Sequence, residues 1–141
     1  MAEHLGGERE DYDALNSGKL IEGDRVAWDA MQALSQAGIT TPAKYAALLE
    51  YVDVDNLIDY MMSNIFAGNY DWPDQNWYAG RRREPGAGWM FFSWDGELTL
   101  DNVNGNRVNA SAYASPAAVY DNLRRQNEEF RVLFGDHVHR H

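Results

Sequence analysis

Asn69-Tyr70-Asp71-Trp72-Pro73-Asp74-Gln75-Asn76, with Trp94-Asp95-Gly96-Glu97 some twenty residues on, is the stretch that decides how this chain is read. Before it, apolar residues recur at helical spacing. After it, they fall in short aromatic runs of strand type. The change of period predicts an α+β domain, mostly helical, in which a helix over 53–67 is central and a small β-hairpin of about 77–80 and 89–94 packs near that helix's C-terminal end. The polar residues gather where these apolar segments end. Asp71 and Asn76 stand in the spacing D-x-x-x-x-N and Asp95 follows the hairpin, which gives an acid, an amide and a second acid on a short scaffold.

The central helix has the strongest periodic signal. After Asp53, apolar residues fall at Val54, Leu57, Ile58, Met61, Met62, Ile65 and Phe66, and Gly68 stops the run. Asp53, Asp55 and Asp59 invite a calcium reading, but an EF-hand loop needs an oxygen ligand where Leu57 stands and a glycine where Ile58 stands. They are read instead as a helix cap and dipole partners.

Upstream, residues 1–23 are polar and punctuated by glycine, and read as a loop lying over the domain. Asp24 caps a helix with Val26, Trp28, Met31 and Leu34 inward, ending at Gly38. Thr41-Pro42 opens another with Tyr45, Leu48 and Leu49 on one face. Downstream, Trp89, Phe91 and Ser93 face one side of the second hairpin strand and Met90, Phe92 and Trp94 the other, so the hairpin is expected to pack on both faces. Arg81, Arg82 and Arg83 read as a solvated turn. Residues 99–115 have the Asn, Gly, Ser and Ala content of a long surface loop, and Asn109-Ala110-Ser111 is a weak glycosylation match. Pro116 starts one last helix with Tyr120, Leu123, Phe130, Leu133 and Phe134 buried, and the tail from His137 to His141 is read as a frayed terminus rather than a chelator.

Composition limits function. A chain of 141 residues with 45 % hydrophobic and 13 % aromatic residues has material for one domain with a core. Its net charge of −10 argues against nucleic acid and anionic membranes as partners, because both are bound through clustered positive charge. Without cysteine there are no disulfides and no thiolate metal site. No apolar run approaches the roughly 20 residues of a membrane span, and the start Met1-Ala2-Glu3-His4 lacks the regions of a signal peptide. The expectation is a soluble chain.

Several stretches, in order along nearly the whole chain, resemble the CotH kinase family, named for a bacterial spore-coat protein. They are Leu5-Gly6-Gly7 through Asp11-Tyr12-Asp13, Glu22-Gly23-Asp24 with Trp28, Tyr51-Val52-Asp53-Val54-Asp55-Asn56 with Asp59-Tyr60, Asn69-x-Asp71 with Asn76, Trp89 with Trp94-Asp95, and Asn127-Glu128-Glu129-Phe130-Arg131. The resemblance implies an atypical, distantly kinase-like phosphotransferase that moves the ATP γ-phosphate to a protein serine with Mg2+ or Mn2+, on a domain like a kinase's large C-terminal lobe. Carried over by motif, Asp71 is the catalytic aspartate, Asn76 and Asp95 are metal ligands, and Trp89 is a candidate adenine-stacking residue; Glu97 is a candidate for one further oxygen on the metal. A spore-coat or cell-surface setting follows from the same resemblance. The types suit the chemistry, since phosphoryl transfer needs a carboxylate near the attacking hydroxyl and hard oxygens for the cation.

Departures from ordinary kinases are visible too. Asn69 stands where they place histidine, Asp95-Gly96-Glu97 lacks the phenylalanine of D-F-G, and no glycine-rich phosphate loop precedes the helices. The only lysines, Lys19 and Lys44, do not follow a kinase-type strand. The expectation is therefore a single domain over 1–141, a large-lobe portion without the ATP-covering lobe, that binds metal weakly. The competing expectation is a non-catalytic coat or surface-assembly module. An unrelated metal-dependent hydrolase gains a little from the acids and the histidine tail, but is disfavoured because no His-x-x-x-His or paired-carboxylate pattern occurs elsewhere.

Overall fold

A computed structural model describes residues 5–140. Among them are five α-helices and a four-stranded antiparallel sheet: β1 (Tyr12–Asn16), β2 (Lys19–Glu22), α1 (Val26–Gln36), α2 (Pro42–Leu49), α3 (Val54–Phe66), β3 (Trp77–Arg82), β4 (Met90–Ser93), α4 (Pro116–Gln126) and α5 (Glu128–Arg140). The sheet order is β2-β1-β3-β4. The α+β class and the central helix are as expected, but the hairpin is not isolated: it forms half of a larger sheet.

The other half lies in the segment expected to be a loop. Ser17 and Gly18 both have positive φ (47° and 82°), the backbone of a two-residue hairpin turn, and they join β1 to β2. Apolar alternation does not reveal β1 because one of its inward positions is charged. Asp13, only 2 % exposed, pairs in register with Arg81, while its neighbour Leu15 pairs with Ala79 in the core. Asp13 accepts the Asp24 N–H at 2.9 Å and forms ion pairs with Arg81 at 3.5 Å and Arg83 at 3.3 Å. A buried carboxylate must be matched in this way, since an unpaired one costs several kcal/mol or so. Two arginines of the expected solvated turn thus secure the sheet, and β3 runs on to Arg82. Gly23 permits the close passage: a Cβ there would overlap the Asp13 carboxylate and the Tyr12 carbonyl.

One face of the sheet is covered. Trp28 of α1 stacks on Trp77 at 5.5 Å and meets Trp89 edge-on at 5.2 Å and Phe91 at 6.4 Å, so one ring ties a helix to two strands. The opposite face is open: Phe92 is 37 % and Trp94 57 % exposed, where a hairpin packed on both sides was expected. Helices supply cover for one layer only, and within the apolar runs Val26 and Phe66 also point outward.

Helix α3 lies along the β4 edge. Its cap is as read, with Asp53 accepting the Asn56 N–H at 3.0 Å. Asn56 then behaves as a substitute strand, accepting the Phe91 N–H at 2.6 Å and donating to the Phe91 carbonyl at 3.3 Å. At the other end, Asn64 donates to Ser93 Oγ at 2.9 Å. The hairpin therefore runs the length of α3 rather than sitting at its C-terminal end. The single last helix expected from Pro116 is two helices, broken at Asn127, which is extended (φ −120°, ψ 121°). Asn127 accepts the Phe130 N–H at 2.8 Å and donates to the Ile39 carbonyl at 3.2 Å, so one amide caps α5 and fixes the bend. The tail is not frayed as far as Arg140: His137 is 7 % exposed, with Nδ1 3.1 Å from Asp59 and Nε2 3.0 Å from Asp55. Those two acids, expected as dipole partners, join α3 to α5. His141 and Met1 to His4 lie outside the described residues.

Candidate functional site

The loop 69–76 is held from below by amides. Asn69, 1 % exposed, donates to Asn64 Oδ1 at 2.8 Å, and Asn64 also donates to the Tyr60 carbonyl at 2.9 Å. Loop, α3 and β4 are thereby linked through one residue. In the middle of the loop, Trp72 is 1 % exposed and donates from its indole nitrogen to the Tyr60 hydroxyl, while Trp77 donates to the Pro73 carbonyl at 3.1 Å. Buried indole N–H groups seek such partners, so the loop is fixed where its aromatics enter the core. Burial pushes the Tyr60 hydroxyl above its usual range, with the Trp72 hydrogen bond opposing this, so Tyr60 stays neutral. A second strap comes from the far side, where Tyr70 N–H bonds to the Leu98 carbonyl at 3.1 Å.

Asn76 and Asp95 sit opposite each other where the β3–β4 pairing ends. Trp77 pairs with Ser93, and the Trp94 N–H then reaches the Asn76 carbonyl at 3.0 Å. Both residues have left-handed backbone, φ 63° at Asn76 and 54° at Asp95. Asn and Asp adopt this region more readily than other non-glycine residues, but at a cost of order 1 kcal/mol each, which is typical of functional sites. The result is convergence. Asn76 Nδ2 donates to Asp71 Oδ2 and lies 3.5 Å from the Asp95 carbonyl. With its nitrogen engaged, the Asn76 amide leaves Oδ1 as a free acceptor among the described residues. A hydrogen bond with Asp95 and the Asp95 charge hold the exposed Glu97 carboxyl above the usual glutamate range, and Asp71 adds to this. Asp71, Asn76 and the Asp95 backbone therefore meet at one point, with Glu97 beside Asp95.

Trp89 is not among them. It is completely buried, edge-on to Trp28, with its backbone N–H on the Tyr51 carbonyl at 2.8 Å. Gly88 lets that segment press against Val52 and Asp53, whose backbone a Cβ would overlap. No face of the Trp89 ring is open to an adenine, so its place is in the core.

Asp71 Oδ1 is buried and has no hydrogen-bond partner among the described residues. Leaving a carboxylate oxygen so costs roughly 1–3 kcal/mol, a penalty that a bound hydroxyl would relieve. Asp71 also lines a cavity of about 620 Å³ with Tyr70, Asp74, Arg107 and Ser111. Sequence reasoning missed this wall. Arg107 donates to the Trp72 carbonyl and lies 5.8 Å over the Tyr70 ring, which pins the 99–115 segment against the 69–76 loop. A lone arginine in an Asn-rich stretch was the available signal. Among the described residues no group of three or more His, Asp or Glu side chains is arranged to hold a metal by itself. A cation here needs further oxygens, such as those of a nucleotide's phosphates.

Comparisons with curated proteins and with solved structures find no match. A family model described as CotH kinase protein matches residues 2–140, nearly the entire chain. The chain belongs to the CotH kinase family.

Proposed function

We propose that this domain is the large-lobe portion of an atypical protein kinase that transfers the γ-phosphate of ATP to a protein serine. Asp71 accepts the serine proton at its unpartnered Oδ1. Asn76 Oδ1 and Asp95 hold Mg2+ or Mn2+, with Glu97 a further oxygen. When bound, the cation neutralises phosphate charge that would otherwise meet an acidic protein. The observation that carries this reading is the meeting of Asp71, Asn76 and Asp95 from two separate segments, beside a cavity that Asp71 lines. Family membership supports the kinase-like class. The adenine needs a surface other than Trp89 as it stands here.

A non-catalytic assembly module is favoured by one feature, the open sheet face with Phe92 and Trp94. Metal and nucleotide titration followed by NMR separates the two. The kinase reading expects weak Mg2+ binding that strengthens with ATP and moves the Asn76 side-chain amide and the Asp95 backbone amide. Unmoved signals at millimolar metal and ATP would remove this site from nucleotide chemistry.

A further inference from the structure

The chain has six serines, and five of their hydroxyls are already engaged. Ser17 donates to Asn16, Ser63 to the Asp59 carbonyl and Ser115 to the Ala112 carbonyl, while Ser35 accepts from Asn122 and Ser93 from Asn64. Among the described residues Ser111 makes no hydrogen bond through its hydroxyl; it is exposed and lines the cavity that Asp71 lines. A turn closed by Ala110 N–H on the Arg107 carbonyl at 2.9 Å brings Ser111 to the same wall as Arg107. Arg107 in turn is half-buried and, among the described residues, has no carboxylate within ion-pair distance and keeps its Nε buried without a partner. In a chain of net charge −10 an arginine left without an acid is a place for an anion.

From these observations we infer that Ser111 is itself a phosphoacceptor of this site and that Arg107 receives the phosphate once it is attached. The inference rests on the phosphotransferase reading above. Ser111 Oγ attacks the γ-phosphorus of ATP bound with a divalent cation, and the new Oγ–P bond replaces the bond from that phosphorus to the β–γ bridging oxygen. ADP leaves with the electron pair, and the Ser111 proton passes to Asp71 and then to water. The phosphoserine brings a charge of about −1.5 to −2 and three acceptor oxygens within the cavity. Paired with Arg107, it occupies the space where a protein serine would enter, so modification lowers access for outside substrates.

The test incubates the full chain with γ-labelled ATP and Mg2+ or Mn2+, alone and with a millimolar serine peptide, and maps the label by mass spectrometry. Label on Ser111, reduced at least tenfold in Ser111→Ala and kept in Ser111→Thr, is the expected result. Arg107→Gln should leave Ser111 labelled but restore peptide transfer to the level before modification. Peptide labelling with no label on Ser111, or self-labelling unchanged in Ser111→Ala, overturns the inference and leaves the phosphotransferase reading standing. No label on either chain or peptide overturns both.

Discussion

Asn56 offers the sharpest test of how the fold carries the site. Its side chain caps the β4 edge through two hydrogen bonds to Phe91, one of 2.6 Å from the Phe91 N–H and one of 3.3 Å to the Phe91 carbonyl. Phe91 is 2 % exposed, so Asn56→Ala leaves both backbone groups without a partner and without ready access to water. Stranding a buried donor costs roughly 1–3 kcal/mol, and the longer contact to the carbonyl adds less. The sum is about 2–3 kcal/mol, a large fraction of the stability of a domain. With a urea m-value of about 1–3 kcal/mol/M, the unfolding midpoint should fall by roughly 0.7–3 M. Hydrogen exchange should show the Phe91 amide losing protection before the rest of the sheet. Because β4 leads directly to Asp95, metal binding at the cluster should weaken as well. A loss under about 0.5 kcal/mol with the Phe91 amide still protected would refute the edge-cap account.

Two further outcomes follow from the site and from the helix clasp. His137→Ala should cost about 1–2 kcal/mol in urea unfolding, at the low end for two charged hydrogen bonds because Asp55 and Asp59 are exposed enough to return to water; an unchanged midpoint would show that α5 is held by its apolar contacts alone. Asp95 holds the Glu97 carboxyl above the usual range, and a retained proton opposes a cation, so Mg2+ affinity should rise with pH as Glu97 ionises. Glu97→Gln should flatten that rise in isothermal titration, and an identical slope in the variant would exclude Glu97 from the site.

What the sequence revealed follows from where side chains meet apolar neighbours. Helix α3 is legible because Leu57, Ile58 and Met61 recur on one face and Asp53 caps it. Asp71, Asn76 and Asp95 are legible as a set because motif order marks them, although only the splayed end of β3–β4 explains how they meet. Strand β1 was hidden because Asp13 points inward and is neutralised by arginines 68 residues or more away, contacts that local pattern does not encode. Trp89 was misplaced for a related reason: an aromatic flanked by glycine reads equally as ligand platform or as core, and the packing of Trp28 decides for core. The helix break at Asn127 was signalled by Asn-Glu-Glu-Phe, a cap followed by acids and an apolar residue, but periodicity across it favoured continuity.

The central claim is that Asp71 acts on the hydroxyl and Asp95 on the metal-bound phosphates. Radiolabelled phosphate transfer to a serine peptide, measured beside ATP binding for the wild type, Asp71→Asn and Asp95→Ala, tests it most directly. Asp71→Asn should leave ATP affinity within a few-fold while cutting turnover by roughly 10² or more, and Asp95→Ala should lose both metal-dependent binding and transfer. Transfer undiminished in Asp71→Asn would remove that residue from the mechanism, and transfer undiminished in both variants would contradict the account.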